Sequence, residues 1–498
     1  MTIWFDVEDL VHYFRVGNKR ISGIQRLSFE IFRGAKELGD EEIRFVRHGS
    51  RPLSLLEVSW DDLVADFGED AEPVPEAAPA PLISPVAVPI PGDPPPVRRS
   101  LARRLAKQAA DILPEHVRKP LVLASVMQVQ VVAALAAFGA QAAALPVRRA
   151  YVGSRAMVAQ AGWRARHRGA AAAPGLPTFD RLAKPGDTLL VLGAPWDRER
   201  YSDIARWVRD EKRMRFGVLM HDLVPIRHPE WCHRGVPRTF REWVVDVLPF
   251  CDVVFANSRH TANDVEAFAR ESGIVLNGRV RPLPIGTGFG GTGFGGGVAA
   301  ERTPRLPAPG SYVLFVSTLE ARKNHALAVR VWRLLLEEVA AGRRAAESVP
   351  DLVFAGRVGW LVSDLLWQLN GTEWLGGRVK LVRDPSDREL RALYAGSLFT
   401  MFPSLHEGWG LPVTESLAQG KPCLSSNAAS LPEAGGALCR YFDPQSRREA
   451  HAAVAAALDD RAALAEWEAR VRREFQPVPW SDTARALIEA VRSLDAPG

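Results

Sequence analysis

The stretch Phe402 to Glu433, FPSLHEGWGLPVTESLAQGKPCLSSNAASLPE, concentrates residue types that do chemistry. An apolar strand ends at Phe402, and a loop carries Glu407, Gly408 and Gly410. Pro412 sits where the first turn of a helix accepts it, and Gly420 closes that helix after about two turns. Two carboxylates, Glu407 on the loop and Glu415 in the helix, then face whatever lies beyond the carboxyl end of the strand, which in an open α/β sheet is the ligand crevice. The glycine loop and the helix start offer backbone N–H groups that suit an anionic phosphate. A second cluster follows the apolar run Val313 to Val316: in STLEARKNH, Arg322 and Lys323 precede a helix start at Asn324, the outline of a diphosphate clamp. FAGRVGW, Phe354 to Trp360, sets Gly356 in a tight turn after another strand. Each segment alone reads equally as a solvated basic turn, a helix cap or an ordinary tight turn. Three on successive loops of one sheet point to a phosphate-bearing ligand. His221 and Asp222 end a further strand, a pairing that serves structure or catalysis alike. His228 and His233 lie close by without metal-ligand spacing, and no Asp-x-Asp follows a strand, so no metal is expected.

These loops need sheets to hold them. Apolar runs of strand length occur at Ile3 to Val7, Thr188 to Leu192, Phe216 to Met220, Val253 to Ala256, Val313 to Val316, Leu352 to Ala355, Val379 to Val382, Leu398 to Phe402 and Pro422 to Ser425. Helical patterns separate most of them, including one through Leu27, Ile31 and Ala35. Short buried strands alternating with helices predict α/β domains built on parallel sheets. The glycine-rich segment 284–300 divides them into an N-terminal domain, 1–283, and a C-terminal domain, 301–475. Gly286, Gly288 and Gly291 match G-x-G-x-x-G, but no helix start follows, so the segment reads as a hinge rather than a phosphate loop.

The 498 residues carry 63 Lys and Arg against 58 Asp and Glu, a net +5, and 47% are apolar, which excludes wholesale disorder. The positive charge is local. Residues 98–168 hold thirteen basic and two acidic side chains, a block of +11, and the rest of the chain sums to −6. A Pro/Ala-rich linker, 71–97, precedes this block, which reads as a helical insertion in the first domain. Within it, 121–145 is uncharged but Ala-rich and contains Gln128, Gln130 and Gln141, so it reads as a packed or interfacial helix rather than a membrane span. Basic flanks beside an apolar helix suit an anionic membrane surface, and a solvated basic face is the plainer reading. Aromatics are too sparse there for nucleic acid. Four scattered cysteines and the acidic start MTIWFDVEDL lead to an expectation of a cytoplasmic protein, peripheral on the inner membrane face if the basic block binds lipid.

Taken together, these residues resemble glycosyltransferase family 4, retaining nucleotide-sugar transferases of the GT-B fold. Glu407 and Glu415 look like that family's Glu-x7-Glu signature, and STLEARKN, FAGRVGW, DPSDRELRALYAGS and SSNAASLPEAGG with FDP are similar to its motifs in the same order. MHDLVPIRHPE and ANSRHTANDV look like its acceptor-domain motifs, and WSDTARALIEAV, within 476–498, resembles a terminal helix that crosses back to the first domain. The resemblance implies two Rossmann-like domains around a cleft and transfer of a hexose or deoxyhexose, mannose first, from a nucleotide sugar such as GDP-mannose to a polysaccharide or lipid-linked glycan. No other cofactor is implied. It further implies that Lys323 and Arg322 neutralise the donor diphosphate, Glu415 binds the ribose, Glu407 holds sugar hydroxyls, Gly23 faces the phosphates, and His221 sits beside the reacting carbon. Gly356, Gly408 and Gly410 complete the donor loops. Ser22-Gly23 replaces the frequent Gly-Gly, and Ser317 stands where many members have Arg, which shifts phosphate charge onto Arg322. Competing readings are a same-fold sugar-nucleotide epimerase or phosphorolytic enzyme, a hydrolase using the paired carboxylates, and a non-catalytic membrane-surface binder.

Overall fold

The computed structural model describes residues 1–15, 23–49, 53–67, 178–197, 201–288 and 303–495. The linker 71–97, the basic segment 98–168 and most of the glycine segment 284–300 lie outside them. The chain divides into two compact units. The first, Met1–Tyr13, Arg20–Val88 and Pro174–Gly498, contains both sheets described below. Of the second, Phe14–Lys19 and Pro89–Ala173, only Phe14 and Arg15 are among the described residues.

The first strand, β1 (Ile3–Asp6), reads IWFD and is buried at every position, so it belongs in the middle of a sheet covered on both faces. It pairs in parallel with β2 (Ile43–His48) on one side and β4 (Thr188–Val191) on the other. With β3 (Leu55–Val58), β5 (Arg215–Met220), β6 (Val253–Ala256) and β7 (Arg281–Pro282), the order is β3-β2-β1-β4-β5-β6-β7. One edge departs from the expected parallel arrangement: β3 runs antiparallel to β2. Both strands put charges outward, and Arg44 Nη1 meets Glu57 Oε1 at 3.1 Å between them, so this edge is half solvated, which antiparallel pairing tolerates.

The second sheet is parallel throughout, built from β8 (Tyr312–Val316), β9 (Asp351–Ala355), β10 (Val379–Val382), β11 (Thr400–Phe402), β12 (Cys423–Ser426) and β13 (Arg440–Phe442). Its order, β10-β9-β8-β11-β12-β13, is that of a Rossmann sheet, with the reversal of direction between β8 and β11. The strand β11 is shorter than the apolar run that announced it, because Leu398 already bonds to Tyr312 O at 2.9 Å before regular pairing begins. The helix His325–Ala340 buries Leu327, Ala328, Val331, Trp332 and Leu335 along one face. Each large side chain contributes roughly 1.5–3 kcal/mol of burial. The Trp332 indole N–H is satisfied by Pro350 O at 2.8 Å.

The helix Trp480–Arg492 packs against the first half of the chain. Trp480, Leu487 and Val491 are buried, Thr483 Oγ1 donates to Pro284 O at 2.7 Å, and Arg492 Nη2 lies 2.6 Å from Asp40 Oδ2. Among the described residues, no helix is long and apolar enough to cross a membrane.

Candidate active site

The loops after β8 and β11 meet at the point where the strand order of the second sheet reverses, the place where open α/β sheets bind ligands. Backbone bonds tie the two loops together, Leu405 N–H to Arg322 O at 2.9 Å, and Arg322 Nη1 donates to His406 O at 2.6 Å. Arg322 and Lys323 form a short 3₁₀ turn, and Asn324 follows in the left-handed region at φ 61°. Asn324 does not cap the next helix with its side chain. Its Nδ2 instead donates to Pro403 O and Pro444 O, which clips the clamp loop to the loops after β11 and β13.

Glu407 stands at the centre. Its Oε1 accepts from Lys323 Nζ at 2.7 Å and from Ser404 Oγ at 2.6 Å, and its Oε2 lies 2.8 Å from Arg322 Nη1. Arg322 Nη2 reaches Glu320 Oε1 at 2.8 Å, so two cations and two carboxylates close a buried cluster. Burial alone would raise the Glu407 carboxyl, but Arg322 and Lys323 outweigh it and hold it at about 2. Burial likewise opposes the Arg322 charge, and Glu407 with Glu320 keep its pKa above the usual guanidinium range. Glu407 is therefore a permanent carboxylate at neutral pH and a poor base.

Glu415 lies in the helix Leu411–Ala418 with Pro412 in its first turn and Gly410 just before it. Burial raises its carboxyl to about 7 against the pull of Arg26 and of the Tyr394 hydroxyl, which donates to Glu415 Oε2 at 2.8 Å. Arg26 comes from the other half of the molecule. It sits in the first turn of the helix Ile24–Glu37, directly after the exposed Gly23, and its Nη2 bonds Asp387 Oδ1 at 2.8 Å. Gly23 thus opens the helix that brings a cation across to Asp387 and within electrostatic reach of Glu415.

His221 follows β5 and is buried. Its Nε2 meets Leu192 O at 2.8 Å and its Nδ1 meets Asn257 Nδ2 at 3.2 Å, an arrangement that fixes a neutral ring protonated on Nε2. Burial lowers its pKa, ahead of the opposing Leu192 bond. Both nitrogens being engaged, His221 shapes the site rather than acting as a base. Gly408 brings the halves into contact. A Cβ there would lie 1.8 Å from His221 O, so only glycine permits this approach. Gly356, at φ 149°, is similarly demanded by Ser317 O, 2.1 Å from where its Cβ would be. The structure thus gathers Arg322, Lys323, Glu407, Gly408, Gly410 and Glu415 on one side and His221 against them, and it places Gly356 in the packing of the neighbouring loop.

Several residues of the site lie within the quoted motifs, but their types and spacing did not single them out. Glu320, Ser404 and Tyr394 act on Arg322, Glu407 and Glu415 from ordinary positions. Glu433, in the motif SLPE, crosses to the first half. Its carboxylate oxygens accept the N–H groups of Arg259 and His260 at 2.9 and 2.8 Å, at the start of the helix Arg259–Glu271. Among the described residues, no group of three or more His, Cys, Asp or Glu stands in a metal-holding arrangement.

Residues 301–474, the stretch that bears Lys323, Glu407 and Glu415, match the family model described as Glycosyl transferases group 1. Particular relatives are two Escherichia coli proteins. Serotype-specific mannosyltransferase WbdA is 28% identical over 284 residues, covering 54% of this chain and 33% of WbdA. O-antigen chain mannosyltransferase B is 29% identical over 183 residues, covering 37% of this chain and 46% of the relative. The chain thus spans about a third of the length of the first relative and under half of the second. Among solved structures, Anabaena HepE in complex with UDP superposes with a TM-score of 0.44 at 15% identity, covering 62% of this chain and 79% of HepE.

Proposed function

We propose that this chain is a retaining glycosyltransferase that moves a hexose, mannose first, from a nucleotide sugar such as GDP-mannose to a glycan or lipid-linked acceptor. The observation that carries the reading is the Glu407 carboxylate held between Lys323 and Arg322 at the switch point of the second sheet. The group 1 match over residues 301–474 and the mannosyltransferase relatives support it.

The chemistry follows from the charges. When the bond between the donor's anomeric carbon and its phosphate oxygen breaks, the electron pair goes to the diphosphate and positive charge develops on the sugar. Lys323 and Arg322 stabilise the leaving diphosphate, and their transfer to phosphate frees Glu407 to accept hydroxyls of the sugar. Glu415 takes the ribose hydroxyls. The acceptor oxygen bonds to the anomeric carbon, and its proton goes to the phosphate oxygen that the reaction itself makes basic, since His221 has no free nitrogen and Glu407 is too weak a base. These cations do the electrostatic work that a metal does elsewhere.

A panel of nucleotide sugars, scored for binding and for transfer, tests the donor. Proton NMR of the first-formed product tests retention: an axial donor bond must give an axial product bond. The basic segment 98–168 is proposed, on composition alone, to hold the chain at an anionic membrane surface. Loss of liposome co-sedimentation on its deletion supports that role, and no binding at low salt removes it.

A further inference from the structure

Asn257, in the segment ANSRHTANDV, leaves β6 alongside His221. The register of the parallel pair β5 and β6 sets Met220 opposite Ala256, and the next step on each strand brings together His221 and Asn257, 36 positions apart. Asn257 is buried, so each polar atom of its amide needs a partner inside the protein. Its Nδ2 has two, and both belong to His221: the ring Nδ1 at 3.2 Å and the backbone O at 3.3 Å. Its Oδ1 has none among the described residues.

That imbalance fixes how the amide is turned. His221 Nε2 faces Leu192 O at 2.8 Å, a carbonyl that only accepts, so Nε2 carries the hydrogen and a neutral ring leaves Nδ1 unprotonated. The unprotonated nitrogen and the backbone oxygen are two acceptors on one residue, and the Asn257 NH2 has two hydrogens to give them. Turned over, the amide would set Oδ1 against both acceptors with no hydrogen between. The orphaned Oδ1 carries a desolvation cost of about 1–3 kcal/mol, which the fold tolerates in keeping the NH2 on His221.

The other donor near His221 O is shared. Thr261, in the first turn of the helix Arg259–Glu271, has one hydroxyl hydrogen, and its Oγ1 lies 3.5 Å from His221 O and 3.4 Å from Gly408 O. It serves one carbonyl at a time, so Asn257 is the standing donor to both acceptors of His221. The charged and titratable groups around the ring are Asp222, Cys232 and His233 from its own half and Glu320 and Arg322 from the other, with Arg322 paired to Glu320 and Glu407. Burial disfavours a protonated ring and outweighs Asp222, which favours one.

We propose that Asn257 is a positioning residue that acts through His221: its amide keeps the ring neutral with the hydrogen on Nε2, and it holds the backbone oxygen at the contact with Gly408. A neutral ring matters because His221 is proposed to stand beside a carbon on which positive charge develops, where an imidazolium would raise the barrier. This role in turnover rests on the transferase reading, and the hold on the ring is tested without it.

The test is nitrogen-15 NMR of the full chain with labelled histidine, His221→Gln marking the resonance to follow, with donor affinity and kcat measured in parallel. In the wild-type chain the ring should carry its hydrogen on Nε2 and should not titrate between about pH 5.5 and 8. Asn257→Asp keeps the size of the side chain and replaces the NH2 by an acceptor. A carboxylate is a weaker base than imidazole, so the ring should take the second hydrogen and titrate inside that window. Donor affinity at about pH 8 should stay within about threefold of wild type, and kcat at saturating donor should fall about tenfold from about pH 8 to about pH 6, beyond any change in the wild type. A side chain that only ties the ends of β5 and β6 together would leave the ring's charge and this pH limb unmoved. A wild-type ring that titrates in the window, or that carries its hydrogen on Nδ1, overturns the proposal even if Asn257→Asp does not fold. So does a ring that stays neutral in Asn257→Asp, or one that becomes charged with no loss of kcat. NMR results as expected in a chain that transfers from no nucleotide sugar keep the hold on the ring and refute the transferase reading.

Discussion

Donor affinity should fall as pH drops from 8 to 6, and Glu415 sets the size of the effect. Its carboxyl titrates at about 7 because burial outweighs Arg26 and the Tyr394 bond. Ribose hydroxyls are donors, so binding requires the ionised form. With a pKa of about 7, roughly ten of eleven molecules are ionised at pH 8 and one of eleven at pH 6, so the apparent Kd should rise about tenfold, or about 1.4 kcal/mol. The sign is opposite for folding stability. A carboxyl raised in the folded state favours folding while it is protonated, so its contribution is complete below the unfolded pKa near 4.5 and is lost as pH rises through about 7. The assay is calorimetric titration with an intact nucleotide sugar. Its diphosphate is esterified at both ends and does not titrate in this window, whereas the terminal phosphate of a free nucleoside diphosphate does. Glu415→Gln should flatten the profile and leave affinity near the pH 6 value. A wild-type profile that is flat, or that tightens toward pH 6, refutes the assignment of Glu415 to the ribose.

Three further outcomes follow from the same geometry. Gly408→Ala puts a methyl 1.8 Å from His221 O, so the halves must separate there. Transfer should drop by about a hundredfold while the melting temperature, read by circular dichroism, moves little; near wild-type turnover would show that this contact is dispensable. Glu433→Ala removes the carboxylate that accepts Arg259 and His260 N–H. It should cost about 1 kcal/mol in denaturant unfolding, and an unchanged midpoint would count against the contact. Lys323→Ala should lower kcat far more than donor affinity, because its charge is needed most when the diphosphate leaves; a change in KM alone would make it a binding residue only.

The loops after β8 and β11 were legible because their charged residues lie close in sequence. Arg322 and Lys323 are adjacent, Glu407 and Glu415 are eight positions apart, and Pro412 and Gly420 mark the helix between them, which the structure places at Leu411–Ala418. What the sequence hid are the long-range partners. Arg26 reaches Asp387 across 361 positions, and Glu433 caps a helix 174 positions away. No periodicity registers such pairs. The expectation also gave Lys323 and Glu407 to different parts of a ligand, whereas the structure pairs them with each other, because buried opposite charges compensate one another. At the sheet edge, β2 and β3 went unread since IRFVRH and LLEV mix charge with apolar residues, the pattern of a half-solvated antiparallel pair rather than of a buried parallel strand. The hold of Asn257 on His221 was invisible for a similar reason: the two lie 36 positions apart, and only the pairing of β5 with β6 brings them together.

The central claim is that Glu407, locked between Lys323 and Arg322, belongs to a centre of glycosyl transfer. The most direct measurement is glycosyl transfer from a nucleotide sugar by the wild-type chain and by Glu407→Ala, with nucleotide affinity and the melting temperature followed in both. Transfer by the wild-type chain and its loss in Glu407→Ala are expected, with the fold and nucleotide binding retained. Wild-type turnover by Glu407→Ala would contradict it.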